Sequence, residues 1–428
     1  MNNDTIFALS SGRGKSGVAV IRVAGDNLHD LFAEMSGRDA FDARRAYMVN
    51  FRDGDDLIDQ CVMIYFVAPH SFTGTDVIEI QTHGAPAVVE RVFDYLRGRG
   101  ARMAVPGEFS RRAFDNGKMD LADVDGLAAL LDAQTERQRR MAMHAMTGDG
   151  KIYDAWRRDM IEISAYAAAI LDYADDDLPP NIGDTIRQRT QKLYHEITAA
   201  ISRYAAARAV RGGFNIALVG DTNVGKSSLF NRILGTNRAI VSDTPGTTRD
   251  VVGATMDIDG YMVNLSDTAG IRETTDIIEQ MGIDRTRDEI DGADLVLRVV
   301  TDNNAPAPGK NEILVINKSD ISGAGTRCDA IYTSAQNGDG MDTLMNAVRR
   351  RMHELMDGAE DQLVVNARTR DLLSAAADSL GAAIDAGDNF DIMAEHVRMA
   401  ADNVGKILGA ITAADVMDAT FAQLCLGK

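Results

Sequence analysis

The chain is poor in several residue types, and each scarcity excludes a class of protein. It has only three cysteines in 428 residues, Cys61, Cys328 and Cys425, and they lie far apart. We therefore expect neither a disulfide framework nor a cysteine-bound metal. No apolar run approaches the length of a membrane span, and the N-terminal MNNDTIFALS lacks the basic start and apolar core of a signal peptide. These absences predict a cytoplasmic protein without a membrane segment.

Positive charge is also scarce. The formal net charge of −19 argues against a general nucleic-acid binder. Two local basic clusters, Arg137/Arg139/Arg140 and Arg157/Arg158, interrupt this acidic background. If RNA binds, it should approach at these clusters, although taken alone they favour a solvated helix face.

Changes of pattern along the chain predict four segments. Residues 1–117 combine β-branched runs (GVAVIRVAG, CVMIYFVA, DVIEIQTH) with a helix, PAVVERVFDYLRGRG, that stops at glycine. Residues 118–212 are helical, and DLADVDGLAALLDAQTERQRRMAMHAM has the spacing of one long helix. Residues 213–357 alternate strands and helices, as in a parallel sheet with crossover helices, and residues 358–428 are helical again. The sequence thus predicts a multidomain α/β plus α protein.

The two helical segments have two possible arrangements. In the simpler one, 118–212 and 358–428 pack together as one helical domain, and 213–357 is an α/β domain inserted into it. Two separate helical domains are the alternative.

One glycine-rich stretch imitates a phosphate-binding loop. SSGRGKSG contains Gly14-Lys15-Ser16, but Leu9 stands where the motif needs its first glycine. We also expect no apolar strand before it. The stretch is therefore rejected as a nucleotide site.

A second glycine-rich stretch meets every requirement. Gly220-Asp221-Thr222-Asn223-Val224-Gly225-Lys226-Ser227 matches the P-loop pattern, follows a predicted strand at 214–219 and opens a predicted helix at 228–234. In such loops backbone N–H groups surround the phosphates, the lysine reaches the β and γ oxygens, and the hydroxyl suits Mg²⁺.

Three later motifs indicate that the nucleotide is GTP. Asp267-Thr268-Ala269-Gly270 follows a predicted strand and offers a carboxylate for the Mg²⁺ shell and an N–H for the γ-phosphate. Asn317-Lys318-Ser319-Asp320 supplies a carboxylate that accepts from N1–H and the amino group of guanine, donors that adenine lacks. Ser334-Ala335 gives the last base contact. Each motif is weak alone, but their order and their places at strand ends make the set specific.

The segment between the first two motifs is typical of a switch loop. It reads SDTPGTTRD over 242–250 and carries threonines that can close on Mg²⁺.

Longer motifs carry a resemblance to a known family. PGTTRD together with the P-loop resembles the Era-like bacterial GTPases. PGEFSRRAFDNGKMDL at 106–121, GRGKSGVAVIRVAG, SFTGTDVIEIQTHGAPAVVE and the terminal CLGK resemble the MnmE (TrmE) family of tRNA modification GTPases within that group. The resemblance covers essentially the whole chain. It implies an N-terminal α+β domain that binds folate and dimerises (1–117), a helical domain (118–212 with 358–428) and an inserted P-loop, Ras-like G domain (213–357).

The resemblance also implies a function. Family members form homodimers and work with an FAD-containing partner, MnmG (GidA), in a heterotetramer. Together they add a carboxymethylaminomethyl-type group to C5 of the wobble uridine of certain tRNAs. The one-carbon unit comes from a tetrahydrofolate derivative in its formyl or methylene form. GTP, Mg²⁺ and K⁺ are the other expected cofactors.

The motifs and the resemblance together assign residues to the GTP site. The expected GTP contacts are Asn223, Val224, Gly225, Lys226, Ser227, Ser228, Ser242, Asp243, Thr244, Pro245, Gly246, Thr247, Thr248, Asp267, Thr268, Ala269, Gly270, Asn317, Lys318, Asp320, Ser334 and Ala335.

The resemblance assigns the ions and the catalytic groups within this site. Mg²⁺ falls to Ser227 and Thr248, and K⁺, which replaces an arginine finger, falls to Asn223, Ser242, Thr244 and Thr247. The catalytic residues are Glu279, which positions the attacking water, with Lys226 and Thr248. Pro245 replaces a common alanine, and residues 271–316 are short for the family, with AlaProAlaPro at 305–308 suggesting a trimmed loop.

The resemblance assigns a folate site to Arg22, Glu79, Lys118 and the terminal Lys428. The ending CLGK is a weak prenylation signal, because Gly427 is not aliphatic and a final lysine is unusual there. A frayed terminus is the bland interpretation, and the resemblance favours a folded site segment instead. Cys425 then lies near the reacting carbon, either as a nucleophile or as a packed small residue.

Two other functions remain as hypotheses. An Era-like ribosome-assembly GTPase would bind RNA without modifying it, and predicts a basic module that none of the four segments provides. A folate-binding module with a vestigial GTPase conflicts with the complete set of GTPase motifs.

Overall fold

The computed structural model describes residues 4–172, 181–236, 238–239, 253–267, 292–323, 325, 327–356 and 366–409. The chain divides into two compact units. The first comprises described residues of Met1–Ala128, Met146–Arg157 and Val404–Lys428, and the second those of Ala129–Ala145 and Arg158–Asn403.

The first unit is built on a six-stranded sheet. Its strands are β1 (Ile6–Leu9), β2 (Ser16–Gly25), β3 (Ala46–Asp53), β4 (Asp56–Phe66), β5 (Asp76–Gly84) and β6 (Arg102–Met103), in the order β3-β4-β5-β2-β1-β6. All neighbours pair antiparallel except β1 and β6. The helices that follow these strands are α1 (His29–Ser36), α2 (Pro86–Gly98) and α3 (Glu108–Asp115).

Alternation along the strands gives this sheet two apolar faces. On β1, Phe7 belongs to a large core that includes Phe32 of α1 and Leu96 of α2. Its neighbours Ile6 and Ala8 belong to a smaller core that includes Phe109 of α3. Helices therefore cover both faces of the sheet.

The predicted strands and helix of this region are confirmed as β2, β4, β5 and α2. Strands β1 and β3 are absent from the prediction, although β3 alternates buried and exposed residues along its length. The expectation that no apolar strand precedes SSGRGKSG is wrong, because β1 (IFAL) does. The stretch nevertheless leads into β2 of a hairpin and not into a helix.

The prediction of one long helix after residue 118 is wrong. The structure has α4 (Leu121–Asp132), a break, α5 (Glu136–His144), a π-helical turn (Ala145–Asp149) and α6 (Gly150–Asp172). Thr135 starts α5 with a capping box, in which its side chain accepts from the Gln138 N–H and the Gln138 side chain accepts from the Thr135 N–H. The pattern Thr-x-x-Gln is a helix start signal, so the break is written in the sequence.

The second unit contains a seven-stranded sheet in the order β13-β12-β11-β7-β10-β9-β8. Its strands are β7 (Phe214–Val219), β8 (Arg238–Ala239), β9 (Gly253–Ile258), β10 (Tyr261–Asp267), β11 (Leu295–Val300), β12 (Glu312–Ile316) and β13 (Ala330–Tyr332). The helices are α7 (Ile182–Ser202), α8 (Tyr204–Gly212), α9 (Lys226–Thr236), α10 (Ser319–Ser322), α11 (Met341–Met356), α12 (Ala367–Asp385) and α13 (Phe390–Leu408), of which the residues from Val404 belong to the first unit. Strands β10, β7, β11, β12 and β13 are parallel neighbours, whereas β9 and β8 continue antiparallel. The predicted parallel sheet is therefore confirmed, with a two-strand antiparallel extension.

The crossover between β11 and β12 has neither a helix nor a strand across 301–311. Parallel neighbours are usually joined through a helix, and this crossover has none. That residues 271–316 are short for the family stays a prediction. Arg298 donates to the carbonyl oxygens of Pro306 (2.7 Å) and Ala307 (3.2 Å), and Arg327 donates to those of Asn303 and Ala305. These side chains replace a helix in holding the crossover in place.

Helices from the two helical segments of the sequence meet within this unit. Helix α12 packs along α7, and Gly381 of α12 lies beside the Tyr194 ring. Asn366 caps the start of α12, and its side chain accepts from the Thr369 N–H at 2.7 Å. The division of the chain at 117, 212 and 357 stays a prediction.

None of the helices in the described part of the chain is both long and apolar enough to cross a bilayer. Cys61 is buried, where burial and then the nearby Asp59 charge raise the pKa of its thiol to about 12, and Cys328 is exposed. Cys425 lies outside the described residues.

Candidate nucleotide site

The loop between β7 and α9 has a backbone that only glycine accommodates at two points. Gly220 has φ +154° and Gly225 has φ +94°. A Cβ atom on Gly220 would overlap the Val299 carbonyl oxygen, and one on Gly225 would overlap Nδ2 of Asn317. The glycines thus let the loop lie against β11 and against Asn317, which opens the guanine motif.

Lys226 opens α9 and is 5% exposed. Its Nζ donates to the carbonyl oxygens of Gly220 (2.6 Å) and Asp221 (2.8 Å). The ammonium therefore lies inside the curve of the loop, where a P-loop lysine meets phosphate oxygens.

Ser227 and Asp267 meet at the edge of the loop. Asp267 ends β10 and pairs with Leu218 of β7, which brings its carboxylate beside the start of α9. Ser227 Oγ donates to Asp267 Oδ2 at 2.9 Å, and Asp267 is buried. A hydroxyl and a carboxylate side by side are the oxygen ligands that Mg²⁺ prefers in nucleotide sites.

Asn317 connects three parts of the site and is only 2% exposed. Its Nδ2 donates to the Val224 carbonyl oxygen at 2.9 Å. Its Oδ1 accepts from the Thr333 hydroxyl at 3.3 Å and from the Ala335 N–H at 3.2 Å. One buried amide thus fixes the P-loop, the end of β12 and the loop after β13 relative to one another.

Lys318 and Asp320 extend this arrangement outward. Lys318 Nζ donates to the Asn223 carbonyl oxygen at 2.7 Å, so its side chain crosses over the P-loop. Asp320 is exposed in the first turn of α10. Ser334 is fully buried and accepts at Oγ from the Asn337 N–H at 3.1 Å, which closes the loop carrying Ala335.

An open cleft of about 690 Å³ lies beside the P-loop. The P-loop lines one side of it, and the helix-free crossover after β11 lines the other through Thr301, Asp302 and Asn304 to Pro306. The short crossover therefore leaves the outer side of the P-loop accessible.

The structure brings together the described residues of the predicted GTP site at the carboxyl ends of β7, β10, β12 and β13. Several predicted residues lie outside the described part of the chain: Ser242, Asp243, Thr244, Pro245, Gly246, Thr247, Thr248, Thr268, Ala269, Gly270 and Glu279. Ser228 and Asn223 are described and exposed.

Sequence reasoning missed two contributors to this site. The first is the buried Thr333 hydroxyl, which donates to Asn317 and orients it. The sequence signal that could have indicated this role is the place of Thr333 immediately before the Ser334-Ala335 motif. The second is the crossing of the P-loop by Lys318, which depends on the left-handed backbone of that residue, φ +61°. No sequence pattern announces that backbone at a lysine.

The predicted folate residues of the first unit also lie together. Arg22 of β2 and Glu79 of β5 are directly opposite in the antiparallel register. Arg22 donates to Glu79 Oε1 from Nε (3.3 Å) and from Nη2 (2.9 Å), and the two side chains are 13% and 21% exposed. The pair lies on the same face of the sheet as Phe109, because Arg22 Cζ is 5.8 Å from that ring centroid.

Lys118 joins this region through the loop before β5. A Cβ atom on Gly74 would come within 3.3 Å of Lys118 Cε, so loop and side chain are in close contact. Asn116 Nδ2 donates to the Thr73 carbonyl oxygen at 2.7 Å, which ties the segment carrying Lys118 to the same loop. Lys428 and Cys425 lie outside the described residues, and the last described residue, Gly409, lies against Phe114 and Leu121.

Fold and motifs define the class of the protein: a P-loop GTP-binding protein with an additional sheet domain and helical segments. Two family models match the chain, "GTP-binding protein TrmE N-terminus" over residues 5–118 and "MnmE helical domain" over residues 121–425. The chain belongs to the MnmE family of tRNA modification GTPases. It is thus a GTP hydrolase involved in tRNA modification.

Similar proteins span the full length of the chain. The tRNA modification GTPase MnmE of Azorhizobium caulinodans is 41% identical over 434 residues, which cover 100% of this chain and 99% of that protein. The protein of the same name from Parvibaculum lavamentivorans is 39% identical over 438 residues, covering 99% and 100%. Among solved structures, the G domain of the T. maritima FeoB iron transporter is 27% identical and covers 33% of this chain and 98% of that chain, with a TM-score of 0.25. That score is too low to carry an argument.

Proposed function

We propose that this protein is a K⁺-stimulated GTPase that acts as a homodimer with an FAD-containing MnmG partner. The pair adds a carboxymethylaminomethyl-type group to C5 of the wobble uridine of certain tRNAs, using a one-carbon unit from a tetrahydrofolate derivative. The observation that carries the proposal is the coexistence, in one chain, of the ordered P-loop site and the Arg22–Glu79 pair with Lys118 near its loop. The similarity to MnmE proteins over the full length of the chain, at 39% and 41% identity, supports it.

In this proposal the described residues bind and orient GTP. Lys226 moves from the carbonyl oxygens of its own loop to the β and γ oxygens, because phosphate offers a full negative charge to the ammonium. Asp320 accepts the two N–H donors of guanine, and its exposed side chain is accessible to the base. Asn317 keeps the loop and the base site in register.

The ions would be held by oxygen atoms of this site. The Ser227 hydroxyl and the Asp267 carboxylate, which lie side by side, would supply oxygen atoms suited to Mg²⁺. Asn223 offers an exposed side-chain oxygen for K⁺ at the tip of the loop. Bound there, the two cations supply positive charge that offsets the charge developing on the transferred phosphoryl group.

Residues outside the described part of the chain complete the proposal. Ser242, Thr244 and Thr247 would add oxygen ligands for K⁺, and Thr248 would reach Mg²⁺. Glu279 would orient the attacking water by accepting a hydrogen bond from it. These assignments follow the family motifs position by position.

The chemistry of the described folate residues fits a pterin with an acidic tail. Glu79 is a partly buried carboxylate, and a carboxylate accepts from the N–H edge of a pterin ring. Lys118 is a cation suited to the glutamyl carboxylates, and it lies against the loop that follows Phe72. Gly409, the last described residue before Lys428, lies against Phe114 and Leu121, which flank Lys118 in the sequence. Gly409 and Lys118 therefore belong to the same unit.

Nucleoside mass spectrometry of bulk tRNA tests this function. Cells that lack the gene should lose the modified wobble uridine, and the wild-type gene should restore it. Glu279→Ala should fail to restore it while the purified variant retains GTP affinity. Unchanged nucleosides in the deletion strain would overturn the proposal, and a ribosome-assembly defect in those cells would then favour the Era-like alternative.

A further inference from the structure

Two aromatic rings enclose the Arg22 guanidinium. Arg22 Cζ lies 5.1 Å from the ring centroid of Phe72 and 5.8 Å from that of Phe109, both within the range of a cation–π interaction. Phe109 is fully buried in the small core under α3, and Phe72 packs partly buried against the same core. The guanidinium therefore has few other positions to adopt.

The enclosed guanidinium determines how Glu79 is presented. The two hydrogen bonds that Arg22 donates to Glu79 both go to Oε1, so Arg22 holds the carboxylate by one oxygen. Within the described residues, Oε2 takes part in no hydrogen bond. A carboxylate fixed in this way offers its second oxygen in one orientation, which suits a ligand with N–H donors on a planar edge.

Phe72 is itself held in place by its loop. Ser71 Oγ donates to the Thr75 carbonyl oxygen (2.5 Å) and accepts from the Gly74 N–H (3.0 Å). The bond from Asn116 to Thr73 fastens the same loop to the segment that carries Lys118. Phe72 thus contacts Arg22, the partner of Glu79, while its loop is bonded to the segment that carries Lys118.

We infer that Phe72, supported by Phe109, is a positioning residue of the folate site: its ring holds Arg22 against Glu79 and so fixes the carboxylate that reads the pterin N–H edge. This inference rests on the proposed function, because it specifies how the same site recognises its ligand. Phe72 acts through Arg22 and Glu79, which are the groups that meet the ligand.

Calorimetric titration of the full-length protein with two ligands tests the inference. The first ligand is formyltetrahydrofolate, and the second is an analogue that lacks the amino group of the pterin ring. The wild type should prefer the first by about tenfold or more, because hydrogen bonds to a charged acceptor are lost with the amino group. Phe72→Leu should lower the affinity for formyltetrahydrofolate and reduce the ratio of the two affinities to about threefold or less. A merely structural defect would weaken both ligands by the same factor and leave the preference unchanged.

Three variants serve as controls. Phe72→Tyr keeps the ring and should restore the preference. Phe41→Leu alters another half-buried phenylalanine of the same unit, in the core on the opposite face, and should keep the preference. Glu79→Gln should lose the preference as Phe72→Leu does. GTP affinity, measured on each variant, reports whether the chain is folded.

The outcomes separate the inference from the function beneath it. If the wild type binds formyltetrahydrofolate and Phe72→Leu keeps the full preference, the positioning role is overturned while the folate site stands. If the wild type binds neither ligand, the folate part of the proposed function is overturned, and the inference with it.

Discussion

Asn317 and Val224 are joined by a buried hydrogen bond of 2.9 Å, from the side-chain amide of one to the main-chain carbonyl of the other. This bond links the residue that opens the guanine motif to the loop that surrounds the phosphates. The same amide accepts from the Ala335 N–H, so both ends of the nucleotide site depend on it. The Asn317 amide thus holds the described parts of the site in one arrangement.

Asn317→Ala should therefore harm stability and GTP affinity together. The substitution leaves the buried Val224 carbonyl without its partner, which costs about 1–3 kcal/mol for an unsatisfied buried group, and also removes the acceptor of the half-buried Ala335 N–H. Urea unfolding and GTP titration measure the two effects. Asn346→Ala, on an exposed face of α11, is the matched control and should change neither. A variant with normal affinity for GTP would contradict the assigned linkage.

Gly220→Ala should disrupt the loop. Its Cβ would overlap the Val299 carbonyl oxygen, and a backbone at φ +154° strains an alanine. We expect a loss of about 1–3 kcal/mol in the free energy of unfolding, measured by urea denaturation, and loss of GTP binding. Gly235→Ala, inside α9 with open space around it, should be neutral or stabilise by up to about 1 kcal/mol. Equal effects of the two substitutions would count against the backbone argument.

Ser227→Ala should lower the apparent affinity of the enzyme for Mg²⁺ during GTP hydrolysis. The hydroxyl that pairs with Asp267 is removed, and we expect the Mg²⁺ concentration for half-maximal GTP hydrolysis to rise about tenfold or more. The measurement is a Mg²⁺ titration of initial rates at saturating GTP. Ser202→Ala, at the exposed end of α7, should leave the titration unchanged. An unaltered curve for Ser227→Ala would remove this residue from the metal site.

Glu108 predicts a pH dependence of stability in the first unit. Burial alone would raise the pKa of Glu108, but hydrogen bonds from Arg102 and the Val105 N–H, with the charges of Arg102 and Arg112, hold that pKa below its usual value. A depressed pKa in the folded state stabilises the fold above the unfolded-state pKa of about 4.5. That stability is lost as pH falls through the lower folded-state pKa.

Glu108→Gln should therefore destabilise at neutral pH, by about 1–3 kcal/mol, and the difference from wild type should shrink on acidification from pH of about 5 downward. Urea unfolding at several pH values measures this. Glu136→Gln alters an exposed carboxylate that is paired with Arg139 and Arg140, and it should have a much smaller effect at neutral pH. A Glu108→Gln deficit that is constant with pH would contradict the ion-pair explanation.

Local patterns predicted the fold where local physics decides it. The strand at 214–219, the glycine-rich loop and the helix after it follow from hydrophobic runs and from backbone demands that only glycine meets. The prediction misses the break before Thr135 because helix-forming residues (Ala, Gln, Glu, Arg) continue on both sides of it, although the Thr-x-x-Gln pattern of its capping box is present in the sequence. Strand β3 was missed among charged neighbours.

Tertiary relationships could not be predicted from the residues alone. The register that sets Arg22 opposite Glu79 depends on strand order, which no local pattern contains. The position of Lys226 on the Gly220 and Asp221 carbonyls depends on the exact loop geometry. The family resemblance assigned a role to each matching residue. For Glu279, Thr248 and Lys428 it remains the only basis of the assignment.

The rate of GTP hydrolysis in KCl and in NaCl, at equal ionic strength and across protein concentration, tests the central claim most directly. A K⁺-stimulated, dimerising GTPase should hydrolyse GTP about tenfold or more faster in KCl, because a bound cation replaces an arginine as the source of positive charge. The rate per molecule should rise with protein concentration, and Asn223→Ala should make the two salts equivalent. Equal wild-type rates in both salts would contradict the account of how hydrolysis is triggered.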